Sequence, residues 1–431
     1  MTDRMARDHR QRPAATLGSD VLAELDGMLA GADADLARLY PGDVARRQPV
    51  HTVYVPADRI AADTVRTWGA AALDALATHG ADAAALAAAV GLPADVVAEV
   101  LPLVHRKLST EPIEDLRIDF EDGLGVRPDD EEDDLAQAAA RAVADASITG
   151  HRPPFVGIRF KSLEAPNRLR GVRTLHVFLD ALLAAGSLPD GLVVTLPKVT
   201  SVAQVEAMGR LCERLESAYG LPGGRLRFEV QIETPQAIIG ADGVATVARI
   251  VHAVPGRLTG LHYGTYDYSA ACGVAAAYQS LEHPAADYAK AVMQVATAGT
   301  GVRLSDGSTN VLPVGDTTAV RAAWALHARL IRRSLERGFY QGWDLHPAQL
   351  PTRFLATYVF YRSGFAAAAN RLTAYAARRD SGVLDEPATA RALAGFLVRG
   401  LECGAITEDD LHGYDLDRTL VDGYAGRAAA P

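Results

Sequence analysis

Short apolar runs rich in β-formers recur along the chain with Ala- and Leu-rich stretches between them, and this alternation restricts the fold more than any other feature. From about residue 150 the runs are Phe155 to Phe160, Leu192 to Leu196, Leu226 to Ile232, Leu258 to Tyr263, Gly301 to Leu304 and Trp343 to Leu345. Repeated βα units have this pattern. Upstream, Val50 to Pro56 and Leu116 to Phe120 bring the strand candidates to eight. Eight parallel strands with intervening helices is the count of a TIM (β/α)8 barrel, an α/β fold; a doubly wound open sheet is the competing topology.

The barrel candidate covers residues 49–350. Residues 1–48 read as an arm followed by a helix around Val21 to Tyr40, and residues 351–431 as a C-terminal helical extension. Between the first two strand candidates, Ala61 to Leu108 is Ala-rich and broken by Gly80 and by Gly91-Leu92-Pro93. It is predicted to form a helical hairpin inserted after strand one. The run Pro128 to Asp134 is strongly acidic and reads as the start of a helix over Leu135 to Ala146, because acidic side chains suit a helix N-terminus.

The chain has 431 residues, 49% of them hydrophobic and 22% charged, which is the composition of a globular protein with a substantial core. Its formal charge of -10 argues against a nucleic-acid partner, since phosphate binding needs a clustered basic surface. Cys212, Cys272 and Cys403 are far apart and lack CxxC spacing, so neither a disulfide framework nor a zinc knuckle is indicated, and a reducing cytoplasm is expected. Arg4, Arg7, Arg10 and Arg12 are followed by no apolar signal region, and no apolar run is long enough to span a bilayer. Neither export nor a membrane partner is expected.

In a parallel barrel the C-terminal strand ends converge on one face, so polar residues there share a pocket however remote they are in sequence. The predicted exits carry Asp119-Phe120-Glu121-Asp122, Arg159-Phe160-Lys161-Ser162, Pro197-Lys198, Glu233, Asp267, Asp306 and Asp344-Leu345-His346-Pro347. Glu233 and Asp267 each follow a β-like run one strand–helix unit apart, an arrangement that would hold a hard divalent cation between neighbouring strand ends.

These segments carry a resemblance. Val53-Tyr54-Val55-Pro56-Ala57-Asp58-Arg59, Asp119-Phe120-Glu121-Asp122, Gly157-Ile158-Arg159, Leu196-Pro197-Lys198-Val199, Ile232-Glu233-Thr234-Pro235, Gly264-Thr265-Tyr266-Asp267 and His346-Pro347-Ala348-Gln349 stand in the order seen in the HpcH/HpaI aldolase/citrate lyase superfamily, which includes citrate lyase β-subunits and malyl-CoA lyases. The resemblance spans roughly residues 50 to 350. It implies a (β/α)8 barrel, Mg²⁺ (Mn²⁺ as the alternative) held by Glu233 and Asp267, Arg159 beside the substrate, and a homo-oligomer, trimeric or hexameric. The chain departs from the pattern in carrying Tyr266-Asp267-Tyr268 where relatives have Asn-Asp-Leu, and Thr200 where an acid follows Lys-Val.

The chemistry this implies is carbon–carbon lyase chemistry on a hydroxy acid or its CoA thioester, through an enolate whose charge a cation and a guanidinium stabilise. Arg159 would neutralise the substrate carboxylate or oxyanion, Lys198 and His346 would contact substrate, and Glu121 or Asp122 would act as base. Each has a plainer reading. Glu233 and Asp267 could cap the following helices, Asp119 and Asp122 could form rim ion pairs, and His346 could position its loop. Arg168, Arg170 and Arg173 read as solvated, or as a phosphate or CoA diphosphate site. Two other functions fit the same residues: handling of phosphoenolpyruvate or pyruvate, and a non-catalytic metal-binding accessory role. No GxxxxGK[ST] loop is present to support phosphoryl transfer.

Overall fold

The computed structural model describes residues 19–43, 45–377 and 386–426. The expected N-terminal arm falls largely outside them. Helix α1 (Ser19–Leu39) precedes β1 (His51–Pro56), and α2 (Thr64–Gly80), α3 (Ala83–Val90) and α4 (Ala94–Thr110) separate β1 from β2 (Asp115–Asp119). Then α5 (Asp129–Ile148), β3 (Phe155–Arg159), α6 (Arg168–Ala185), β4 (Val193–Leu196), α7 (Val202–Tyr219) and β5 (Arg227–Ile232) alternate singly. Short helices α8 (Pro235–Ile238) and α9 (Thr246–Ala253) lead to β6 (Leu258–Tyr263), and α10 (Thr265–Ala271) and α11 (Pro284–Thr297) lead to β7 (Arg303–Ser305). After α12 (Thr317–Glu336) and β8 (Gly342–Asp344) come α13 (Leu350–Ala376), α14 (Pro387–Cys403), α15 (Glu408–His412) and α16 (Arg418–Ala425).

The eight strands pair in parallel in the order β7-β6-β5-β4-β3-β2-β1-β8. The two ends of that order meet, because Ser305 bridges Gln341 and the Asp306 N–H donates to the Gln341 carbonyl at 2.8 Å. The sheet is therefore a barrel, not an open doubly wound sheet. Its strands are covered on both faces, which is why they read as short continuous apolar runs; all of β2 is buried.

Two expected boundaries shift. The segment after β1 holds three helices, one more than a hairpin, because Gly80 and the left-handed Gly91 (φ 66°) each end one. Helix α13 packs against α12 and α4 and so completes the eighth βα unit, placing the edge of the barrel beyond residue 350. The acidic run also does more than start a helix: α5 begins at Asp129 within it, and fully buried Glu132 pairs with Lys161 at 2.5 Å. Helices α5 and α6 pack closely, with Phe178 fully buried; truncating Phe178 to Ala would cost about 3–5 kcal/mol.

The barrel interior is polar where many such barrels stack aliphatic side chains. Arg117 Nε donates to Glu229 Oε1 at 3.1 Å, its Nη2 reaches Asp115 at 2.8 Å, and Gly157 leaves it room, since a Cβ there would lie 2.9 Å from Nη1. The Trp343 indole can only donate, so its 3.1 Å bond fixes His262 Nδ1 as an acceptor. His262 Nε2 then carries the proton and donates to Glu229 Oε2 at 2.8 Å. Burial opposes ionisation of Glu229, but Arg117 and then His262 hold its carboxyl down at about 2. This hydrogen-bonded layer forms a floor beneath the C-terminal strand ends.

Candidate active site

Strand alternation puts Asp119, Arg159 and Gln231 on the inner face at the top of the barrel, two residues beyond Arg117, Gly157 and Glu229, and Glu233 two residues beyond Gln231. Arg159 is clamped there. Its Nε and Nη2 donate to the two oxygens of Asp119 at 2.7 and 2.6 Å, and its guanidinium lies 4.9 Å from the centre of the Tyr54 ring. Asp119 also accepts from the N–H groups of Glu121 and Gly123, so it is a positioning group and not a free carboxylate. Arg159 Nη1 is left for Glu121 Oε2 at 3.3 Å and Gln231 at 3.5 Å.

Lys198 joins the rest of the site. It is not glycine, yet it stands at φ 50°, a conformation that strains an L-residue and that functional sites retain. Its N–H donates to Glu233 Oε1, 2.6 Å away, while its ammonium reaches Glu121 at 2.9 Å, Asp122 at 3.0 Å and Asp267 at 3.6 Å. One cation is thus shared among three carboxylates. Glu233 is almost fully buried and sits against the Gly264 backbone, where a Cβ would come within 2.4 Å of its own Cβ. Burial first, and then the like charges of Glu121 and Asp267, push its carboxyl up to about 8.

The remaining shifts divide the carboxylates by role. Burial and neighbouring Asp122 raise Glu121, against Arg159 and Lys198. For half-exposed Asp122, burial is outweighed by Arg159 and the hydrogen bonds from Glu121 and Lys198, and its pKa is lowered. Burial would lower Lys198, but Glu121 and then Asp122 raise it, so the amine stays charged.

Glu233 does not cap α8, because Thr234 does so by accepting from the Ala237 N–H, whereas Asp267 lies in the first turn of α10, whose N-cap residue Gly264 supplies no side chain. The all-oxygen donors Glu233 and Asp267, with Glu121 beside them and Glu233 raised chiefly by burial and then by Glu121, are of the type that suits a hard cation such as Mg²⁺. Among the described residues no three His, Cys, Asp or Glu side chains form a ready coordination shell, and the Lys198 ammonium stands among these carboxylates in its place.

Three sequence expectations end elsewhere. His346 Nδ1 accepts from the Ala348 N–H at 3.2 Å and caps the turn Pro347–Gln349, and no hydrogen bond or ion pair ties it to the acidic cluster. Asp306 and Asp344 turn to the helix layer: Asp306 binds Lys290 and Ser334, and Asp344 is held by His51 and by the Nε and Nη2 of Arg353. Arg170 and Arg173 grip Asp133 and Arg168 binds the Leu163 carbonyl, so the three do not form one anion site. Conversely, the sequence reading assigned no role to Gln231, Tyr54 or Gly264. The first two were accessible from alternation, since Gln231 lies two residues before Glu233 on the same face, and its amide donates to the Tyr54 hydroxyl at 3.3 Å.

Residues 29–428 match a family model described as Domain of unknown function (DUF6986). No curated protein sequence matches the chain. Among solved structures, a citrate lyase from Burkholderia xenovorans LB400 is similar at 22% identity and TM-score 0.55, over 74% of this chain and 92% of that one. Protein CitE from Mycobacterium tuberculosis, in complex with magnesium and acetate, aligns at 18% identity and TM-score 0.43 over 82% and 98% of the two chains. A Haloferax volcanii malate synthase in a magnesium/glyoxylate complex aligns at 14% and 0.48 over 88% and 98%. The barrel is thus the fold of that citrate lyase.

Proposed function

This chain belongs to the DUF6986 family, and on that premise we propose that it is a Mg²⁺-dependent carbon–carbon lyase or condensing enzyme acting next to a carbonyl in a hydroxy acid or its CoA thioester. Likeness of fold assigns no chemistry by itself. The observation that carries the reading is the buried Glu233 carboxylate, raised to about 8 beside Asp267 and Glu121 although Arg159 and Lys198 are both near it. Glu233 and Asp267 would hold the ion. A bound Mg²⁺ supplies positive charge for the substrate carboxylate and for an enolate oxygen, and needs only two protein carboxylates because it keeps other oxygen ligands.

The protein groups divide the remaining work. Arg159, immobilised by Asp119 and the Tyr54 face, presents Nη1 to the substrate carboxylate or the developing oxyanion without paying for reorientation. Glu121 is the proton-moving group. Its raised pKa suits a base that takes the hydroxyl proton in cleavage and returns it in condensation, whereas Asp122 stays ionised against Lys198. Lys198 keeps the acidic cluster from repelling an anionic substrate and fixes Glu233 through its N–H.

A panel of hydroxy acids and their CoA thioesters, with phosphoenolpyruvate included, tests this by release of pyruvate, glyoxylate or acetyl-CoA with and without Mg²⁺. Turnover that needs Mg²⁺ and is lost in Glu233→Gln is expected. Full lyase activity after exhaustive chelation would sink the reading.

A further inference from the structure

Helix α1 is the one long helix that the rest of the described chain leaves uncovered. Every residue from Leu22 to Arg38 is exposed, and Leu22, Leu25, Leu29 and Leu36 are 46–61% exposed. Large apolar side chains grouped on one surface mark an interaction site. Their spacing says which kind. Leu22, Leu25, Leu29, Ala32, Leu36 and Leu39 follow one another at alternating intervals of three and four, the a/d seam of a coiled coil carried over almost three heptads. The helix is also poorly equipped to stand alone. Gly27 and Gly31 lie inside it with open space around them, and glycine is the weakest helix former after proline, so its stability has to come from packing.

We propose that α1 joins copies of this chain in a parallel, in-register coiled coil. The flanking charges select that arrangement. Asp26 and Asp33 line one side of the seam, and Val21, Met28 and Asp35 the other. In a parallel register Val21 faces Asp26 of the next copy and Met28 faces Asp33, while the position opposite Asp35 falls beyond the end of the helix, so no two acids meet. An antiparallel pairing sets Asp26 against Asp33 of the second copy, and like charges at those positions are unfavourable. The acidic flanks likewise disfavour an anionic lipid surface.

The foot of the helix is fixed. The Gly42 N–H donates to the Gly299 carbonyl at 2.8 Å and the Tyr40 ring lies 5.4 Å from His252, both at the N-terminal end of the strands. A coil rooted there would tie barrels together by their bases and leave the Glu233–Asp267 face open. It does not depend on the functional reading.

Sedimentation of the full chain, with cysteine cross-linking, tests the proposal. The wild-type protein is expected at a multiple of the 45.6 kDa chain mass, and Leu29→Glu/Leu36→Glu at half that mass or less with thermal unfolding of the barrel unchanged. In a Cys272→Ser background, which removes the exposed thiol, Leu29→Cys chains should link to one another on oxidation. A mixture of Leu22→Cys and Leu39→Cys chains should give only like-to-like links. A monomeric wild-type protein, an undiminished mass in the double variant, or links between positions 22 and 39 would each overturn it. So would a monomer that floats with zwitterionic vesicles.

Discussion

The Lys198 N–H donates to Glu233 Oε1 at 2.6 Å, from a residue that holds a left-handed φ of 50°. The contact and the strain sit on one residue, whose left-handed φ sets the direction of the chain and side chain beyond that N–H. Lys198→Gly and Lys198→Ala both remove the ammonium, but only glycine adopts this φ without penalty. Chemical denaturation should find Lys198→Gly the more stable of the two by about 1 kcal/mol. Both should lose activity alike. Equal stability would mean that the loop relaxes when the side chain is shortened.

Removing a metal-holding carboxylate should act on turnover and not on the fold. Glu233→Gln and Asp267→Asn are each expected to lower kcat by about 10²–10³-fold, the cost typical of losing a group that stabilises developing negative charge. Glu233→Gln should also unfold no earlier than the wild-type protein in the absence of metal, because it replaces a carboxylate that burial and Glu121 already disfavour. Calorimetric titration with Mg²⁺, run beside the denaturation curves, separates the two effects.

Gly264 offers a purely steric handle on the same carboxylate. A methyl group there would meet Glu233 Cβ at 2.4 Å and Oε2 at 2.7 Å, closer than nonbonded atoms approach. Gly264→Ala is expected to push Glu233 off the Lys198 N–H and weaken Mg²⁺ binding about tenfold or more, with all titratable groups retained. A variant that binds Mg²⁺ as tightly as the wild-type protein would show that Glu233 is not held where Gly264 places it.

The frame was legible because a buried parallel strand has to be apolar throughout, and each strand candidate falls within two residues of an observed strand. The positions of Glu233 and Asp267 could be read because one directly follows such a run and the other stands four residues beyond the next. Other features depend on side-chain direction. Asp306 and Asp344 are also acids at strand ends, yet they face the helix layer, where Lys290 and Arg353 receive them. The Arg117–Glu229–His262 floor escaped because its members are single polar residues in runs that read as apolar. Glu132 looked like one acid in a solvated run; Lys161, distant in sequence, is what makes its burial tolerable.

Acid should loosen the base of the barrel through Glu114, which precedes β2. Its Oε1 lies 2.6 Å from both Lys107 Nζ and Arg47 Nη2, and its Oε2 accepts from the Val50 N–H at 2.8 Å. Full burial alone would raise this carboxyl, but Lys107 and then Arg47 overcome that and bring it from 4.5 to about 2. A carboxyl whose folded pKa is depressed stabilises the fold above its unfolded pKa and loses that contribution as pH falls through the folded one. The contribution is about 3 kcal/mol near neutrality and falls between about pH 4.5 and pH 2. Glu114→Gln is therefore expected to be less stable than the wild-type protein by roughly 3 kcal/mol at pH 7, with the gap about halved at pH 3. Urea denaturation at both pH values checks the sign. A gap that stays constant with pH would trace the loss to packing and not to the charge held between Lys107 and Arg47.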